Sequence, residues 1–287
     1  MADVLTTPTS GRPRLAPPQR ERASATSRGL RTIVVAYVGL LVLVPVGVLC
    51  FKTFQPGLTT FFDALRDPDA QHAFQVTAVV AGTSVLINMV FGVAVAILLA
   101  RYRFPGRRVL SAFVDLPVAV SPIVVGLALI LVFGPDGWFG PIANWMGLTV
   151  ITAKPGMVLA TVFVSLPLVV RAVVPVLQQA GVEQEQAAAS LGANAFARFR
   201  RITLPTIRVA LAYGVVLSLA RCVGEYGAVL VVSGNIQGET ETVPLRIGNL
   251  VQNTLDTNSA YALTFVLMVI SIFAILVGAL IRRRRRI

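Results

Sequence analysis

Hydrophobic positions in this chain come in long blocks rather than in alternation. Uncharged stretches long enough to cross a hydrocarbon layer of ~30 Å recur at Ile33–Phe51, Ala73–Ala100, Leu116–Pro135 and Thr257–Ile281. Two further stretches are as apolar apart from internal charges: Pro155–Leu177, interrupted by Arg171, and Val209–Val232, interrupted by Arg221 and Glu225. The pattern predicts an all-α polytopic membrane protein with six transmembrane helices over residues 31–287. Residues 1–30 differ, being rich in Pro, Ser, Thr and Arg with little apolar content. They predict a disordered tail, and the first apolar stretch begins too late and runs too long for a short cleaved signal sequence.

Composition agrees with that pattern. Of 287 residues 55% are hydrophobic and 13% charged, where soluble domains carry roughly 25% charge, so an ordinary soluble enzyme is excluded. The net charge of +12 would suggest nucleic acid if the basic residues clustered on a polar domain, but they sit between apolar blocks, so no nucleic-acid partner is expected. They report topology instead, because short basic loops stay on the cytoplasmic side. The tail holds Arg12, Arg14, Arg20, Arg22, Arg28 and Arg31, the second connection Arg101, Arg103, Arg107 and Arg108, the fourth Arg198, Arg200, Arg201 and Arg208, and the C-terminus Arg282 to Arg286. The opposite loops hold only Lys52, Arg66, Lys154 and Arg246. Both termini are therefore expected in the cytoplasm. The terminal arginine run reads either as a stop-transfer anchor or as a patch for anionic membrane lipid. Cys50 and Cys222 lie inside apolar blocks and His72 is the one histidine, so neither a disulfide framework nor a metal site is expected.

A phosphate-binding loop of the form G-x-x-x-x-G-K-[ST] needs its lysine for the phosphates. Only Lys52 and Lys154 exist, preceded by Phe51 and Ala153, so this chain does not bind nucleotide by that route. No nucleophile elbow, zinc-protease histidine pair or kinase signature is present either. If ATP drives the protein, a separate subunit binds it.

The stretch of about 179–207 is the most informative. Glu183 to Gly192 predicts a short alanine-rich helix, ended by a left-handed glycine cap at Gly192, and Ala193 to Arg201 predicts a second. Pro205 is expected to stop or restart the backbone before the fifth span. Small side chains at Ala187, Ala188 and Ala189 would let another protein approach closely, with Phe196, Phe199 and Ile202 forming an apolar face at helical spacing. From spacing alone the segment is either a docking knob or an amphipathic helix lying on the membrane.

The pattern A-A-x-x-x-G, nine residues, then I-x-L-P resembles the coupling-loop signature of inner-membrane permease subunits in ATP-binding-cassette importers. Gly192, Ile202, Leu204 and Pro205 match by position. That resemblance implies a type I importer (MetI-like) architecture in the cytoplasmic membrane. It also implies a loop seated in a cleft of the ATPase subunit, whose closure it carries to the membrane helices. The family usually has glutamate six residues before the glycine, where this chain has Gln186 with Glu185 beside it. The run Asp115 to Pro122 followed by Gly126, then Leu166-Pro167 with Arg171, and Arg221 to Ala228, look like sulfate/thiosulfate permeases, and like their W-type subunit more than the T-type. The implied partners are a homologous T-type permease subunit, two ATPase subunits that bind ATP and magnesium, and an extracytoplasmic sulfate-binding protein. No cofactor is implied for this chain and no covalent step.

An ionisable group at helix centre costs ~2.5–3.5 kcal/mol on insertion scales and so faces a partner or water. Arg221 lies thirteen residues beyond Arg208, or ~20 Å along a helix, and Glu225 follows one turn later. The pair reads either as a cavity arginine oriented by Glu225 or as a structural ion pair. Asp115 and Arg171 are expected at similar depth, paired or with Arg171 snorkelling alone. Pro117, Pro122 and Gly126 interrupt the third span, so Ser121 and Pro122 mark either a broken helix facing an anion or a packing kink. Molybdate or a related oxyanion is the alternative cargo. A gradient-driven secondary transporter is the alternative class, and a non-transporting membrane scaffold a third, both leaving the coupling signature unexplained.

Overall fold

A computed structural model of the chain describes residues 25–147 and 149–283, which are helix and connecting loop with no strand among them. Two units divide at Val48. The first ends within α1 (Ala25–Phe54), a long apolar helix with Pro45 inside it. Residues 1–24 of the expected tail lie outside the described residues, and residues 25–30 belong to the start of α1.

The second unit continues with α2 (Leu58–Arg66) and α3 (Pro68–Arg101), the latter opened by Pro68, whose missing N–H is not needed at a helix start. Next come α4 (Arg107–Ala119), α5 (Pro122–Phe133), α6 (Gly140–Trp145) and α7 (Lys154–Ala180). Then follow α8 (Glu183–Ser190), α9 (Ala195–Arg198), a π turn at Phe199–Thr203 and α10 (Leu204–Val223). The chain closes with α11 (Gly227–Val232), α12 (Val243–Asn249), a second π turn at Leu250–Thr254, and α13 (Thr257–Arg283).

Five of the described helices are long and apolar enough to cross a membrane, and the pair α4–α5 makes a sixth if it counts as one bent span. The third span, Leu116–Pro135, expected to be interrupted by its prolines, is a broken helix and not a mild kink: the axis turns by 116° between α4 and α5. The cause is local. Pro122 disfavours helical backbone in the residue before it, and Val120 and Ser121 both take extended conformations, ψ 139° and 134°. With 12 residues, α5 is only ~18 Å long, too short to cross alone. The expected fifth span, Val209–Val232, is also broken, because α10 ends at Val223 and α11 restarts at Gly227.

The helices α3, α7 and α10 form the centre. Val93, Ala96 and Leu99 of α3 pack on Val169, Val173 and Leu177 of α7 and on Ile207 and Ala210 of α10. Apolar side chains gain little by leaving lipid for protein, so close contact between small residues and a few hydrogen bonds must hold membrane helices together. Both are present. A Cβ at Gly92 would stand 2.8 Å from Val169 Cγ1, and one at Gly214 3.1 Å from Val169 Cα. A polar seam crosses the same interface. Asn88 donates to Ser165 Oγ at 2.7 Å, the Cys222 thiol donates to the same oxygen at 3.2 Å, and Ser84 donates to the Val158 carbonyl at 3.3 Å.

The short α5 and α11 pack against each other at Gly126. A Cβ there would lie 2.7 Å from Val231 Cβ and 2.9 Å from the Ala228 carbonyl oxygen. Gly126→Val should therefore destabilise the fold by about 1–3 kcal/mol through overpacking, whereas Gly82→Val, at a glycine with nothing within 4 Å, should be neutral. Apparent melting temperatures of the two variants, purified with their partners, check this; equal values would refute the close α5–α11 crossing.

Candidate functional site

The predicted coupling segment forms a projecting knob. Gly181, at φ +67°, ends α7, and α8 runs to Ser190. There Gly192, at φ +83°, turns the chain while its N–H donates to the Ala189 carbonyl and the Ala193 N–H to Ala188. These two bonds are the Schellman arrangement that glycine permits at a helix end. Leu191 is 88% exposed and Phe196 69%, and a Cβ at Gly192 would meet nothing within 4 Å. Gln186 and Ala187 are exposed and Ala188 is half-buried.

Two expectations for this segment are corrected. Pro205 neither stops nor restarts the helix: α9, the π turn and α10 continue one another, with the Leu204 N–H reaching back to the Phe199 carbonyl. The widened π turn just before Pro205 is where a regular ladder would meet the proline ring, and Leu204 and Pro205 open α10. Nor do Phe196, Phe199 and Ile202 make one exposed face, since Phe199 packs on the central core while Phe196 points away and Ile202 is half-buried.

Glu185 fixes the knob to the bundle. Its Oε1 pairs with Arg101 at 3.1 Å and accepts the Thr203 hydroxyl at 2.9 Å, while Arg101 also donates to the Leu177 carbonyl at 2.8 Å. One carboxylate thus ties α8 to the end of α3 and to the π turn, and its arginine holds the end of α7. A glutamate one place from the family's usual position is the sequence signal for this clamp. Its partners, 84 and 18 residues away, carry none.

At the broken helices, Arg221 and Glu225 form an ion pair along one turn, with Glu225 only 2% exposed and Arg221 partly open. Glu225 Oε1 also accepts the Ala228 N–H at 2.9 Å, so the carboxylate caps the restarted α11. The structural pairing is therefore present, and Arg221 arrives at any cavity already neutralised. Ser121 is exposed at the start of α5 and makes no capping bond, and Pro122 is half-buried, 3.2 Å from where a Cβ of Gly227 would stand. The starts of α5 and α11 thus meet. Inside the α4–α5 bend, a cavity of about 400 Å³ is lined by Leu116, Val120, Val125, Leu129 and Phe163 without polar surface, and offers nothing to an anion. Asp115 and Arg171 pair: the Arg171 Nε donates to Asp115 Oδ1 at 2.7 Å and its terminal nitrogen meets the second oxygen.

The other end of the bundle carries a network that sequence reasoning missed. Arg246 of α12 reaches Asp67 at 3.0 Å and Asp69 at 3.3 Å, at the head of α3, with Glu241 at 3.7 Å. Glu241, 1% exposed, accepts from the Asn249 amide at 2.5 Å, and Asn235 and Asn249 are bonded to each other. Burial pushes the Glu241 carboxyl above its ordinary range, against the Asn249 bond and the Arg246 charge, which lower it. Among the described residues no group of three His, Cys, Asp or Glu side chains could hold a metal ion.

The family model for binding-protein-dependent transport system inner membrane components matches residues 88–287. The chain belongs to that family. This inner-membrane component is 40% identical, over 92% of each chain, to the sulfate transport system permease protein CysW of Synechococcus elongatus. To the CysT permease protein of Salmonella typhimurium it is 37% identical over 82% of this chain and 85% of that one. Its fold is that of a chain in a bacterial alginate ABC transporter complexed with an alginate pentasaccharide-bound periplasmic protein, TM-score 0.73 at 18% identity over 90% of this chain and 94% of the other. Members of the family are multi-pass transport subunits, not enzymes.

Two measurements probe this inner-membrane component directly. Glu185→Ala removes bonds to charged groups, each contributing about 1.5–3 kcal/mol when well shielded and less here at partial exposure. Amide hydrogen exchange should accelerate in α8 and not in α3; unchanged α8 protection would refute the clamp. For Glu241 the folded pKa exceeds the unfolded one, so the folded state holds the extra proton. Stability is then lost as pH rises from the ordinary carboxylate range through the raised value. Glu241→Gln should flatten that loss in thermal melts across pH, and an unchanged slope would assign it to another group.

Proposed function

We propose that this chain is the W-type half of the membrane pathway of an ATP-driven sulfate importer, lying in the cytoplasmic (inner) membrane with both termini cytoplasmic. It would pair with a T-type permease subunit, two ATPase subunits that hold ATP and magnesium, and an extracytoplasmic sulfate-binding protein. The observation that carries this reading is the exposed, glycine-capped knob at 183–198, clamped by Glu185 to helices that run the length of the bundle. A knob of that kind is built to be gripped. The near full-length likeness to a sulfate permease supports the cargo, and the distinct T-type relative supports the pairing.

In this mechanism the ATPase subunits close on ATP and drag α8, with Gln186, Ala187, Ala188 and Gly192 in their cleft and Ile202, Leu204 and Pro205 carrying the displacement into α10. The cycle runs because ATP-bound and free ATPases differ in their affinity for the two arrangements of the helices. Ser121, Pro122, Arg221 and Glu225 lie where the broken helices adjoin, and there the pathway opens. An arginine already paired offers a dianion a weak contact, which suits passage better than retention. No bond is made or broken in the cargo.

The test is the co-purified complex in proteoliposomes. Sulfate-loaded binding protein should stimulate ATP hydrolysis and uptake, and Gly192→Glu should abolish both while membrane insertion persists. The surrounding space is open, so the substitution strains the left-handed backbone by only about 1–2 kcal/mol but puts a charge on the docking surface. Normal uptake by this variant would refute the coupling role. Stimulation by molybdate-loaded protein instead of sulfate-loaded would refute the cargo, and uptake driven by an ion gradient without ATP would refute the class.

A further inference from the structure

The turn between α3 and α4 holds three arginines that the rest of the described structure leaves unused. Arg103 sits in the linker, and Gly106, at φ +90°, brings Arg107 and Arg108 into the first turn of α4. With Phe104 and Ser111 they line an open cavity of about 560 Å³. Among the described residues none of the three makes an ion pair or side-chain hydrogen bond, in contrast to Arg101, two positions before Arg103, which holds Glu185 and the Leu177 carbonyl. Asp115, which lines the adjoining cavity with Arg107, is taken by Arg171 on both oxygens. The first turn of α4 carries no acidic residue, so the positive end of its helix dipole is uncompensated.

Beside this cationic pocket the surface turns apolar. Val109, which lines the cavity, and Phe113 one helical turn further along α4 are exposed and make an apolar ledge, and Tyr102 is exposed just ahead of the turn. We propose that the pocket binds the headgroup of an anionic phospholipid, the phosphodiester lying among Arg103, Arg107 and Arg108 and the acyl chains along Val109 and Phe113. Lipid fits better than a protein partner because the charges need an anion and the ledge needs hydrocarbon at once, with an aromatic residue at the boundary, where membrane proteins favour one. The α3 end at this turn also holds the coupling knob through Arg101 and Glu185. Headgroup occupancy would therefore brace the end of the bundle on which the knob is mounted.

Native mass spectrometry of the complex, extracted from phosphatidylcholine membranes with and without phosphatidylglycerol, tests this. The wild type should retain phosphatidylglycerol selectively. Each arginine near an anionic headgroup contributes about fivefold. The triple variant R103Q/R107Q/R108Q should therefore bind on the order of a hundredfold more weakly, each single variant about fivefold, and the triple Arg→Lys variant nearly as well as wild type. The charge-matched K52Q/R66Q/K154Q should retain lipid normally, which separates the pocket from a general charge effect. Equal retention in the single glutamine variants overturns the proposal. So does displacement of the lipid by millimolar inorganic phosphate, which would mark a free-oxyanion site, or loss of the ATPase subunits from the triple variant with lipid retained, which would mark a protein surface.

Discussion

A helix that stops inside hydrocarbon leaves amide and carbonyl groups with no water to pair with, and each costs several kcal/mol unless protein supplies a partner. This chain interrupts two helices where straight spans would be simpler, at Val120–Ser121 and at Gly224–Tyr226. Much of the architecture serves to make those stops tolerable. Pro122 removes one donor outright, Glu225 accepts the Ala228 N–H, and Gly126 and Gly227 let the two restarted helices approach until backbone touches side chain. The buried carboxylate this requires is itself held by Arg221. The same ion pair that looks like a candidate for anion recognition is thus also what a restarted helix demands.

Both ends of the bundle are fastened by arginine. At one, Arg101 and Glu185 join the knob to α3 and α7; at the other, Arg246 gathers Asp67, Asp69 and Glu241 from the head of α3 and the loop before α12. Because α3 runs unbroken from Pro68 to Arg101, the two fastenings lie at opposite ends of one strut. Arginine suits both sites because its several fixed donors can satisfy two or three acceptors at once, where a lysine would offer a single point charge.

Sequence alone carried the helical class, the apolar blocks and the knob, since block length, Gly192 and the alanine run act within a few residues. The breaks were half legible. Pro122 and Gly126 announced an interruption, but a turn of 116° depends on what α5 packs against, and the stop at Gly224 was hidden because Arg221 and Glu225 beside it read as charges within a continuous span. The Arg246 network and the Asn88–Ser165–Cys222 seam were invisible for a different reason. Their long-range contacts join residues 57 to 179 positions apart, and a lone Asn or Asp does not name its partner. Pro205 misled, because the stop rule for proline assumes a regular ladder, and the π turn ahead of it is not regular.

The two core clusters explain how a pull on the knob would reach the breaks. One gathers α3, α7 and α10 near the knob, with α7 contributing Val169 to Leu177; the other gathers α3, α5, α7 and α11, with α7 contributing Met157 to Val164. Pro167 of α7 lies between them, where the missing N–H already weakens the helix. A displacement entering through Glu185 moves the first cluster as a body, because its members interlock at Gly92 and Gly214. In the proposed mechanism the second cluster would follow through α3, which is continuous, or lag behind at Pro167, Val120–Ser121 and Gly224–Tyr226, where helical hydrogen bonding is interrupted. The compliant points therefore ring the junction where Ser121, Pro122 and Glu225 stand, and a tilt about α3 would change the gap there more than anywhere near the arginine fastenings. In the proposed mechanism a gate at the junction would need no moving part of its own, since it would open as a consequence of where the helices are interrupted.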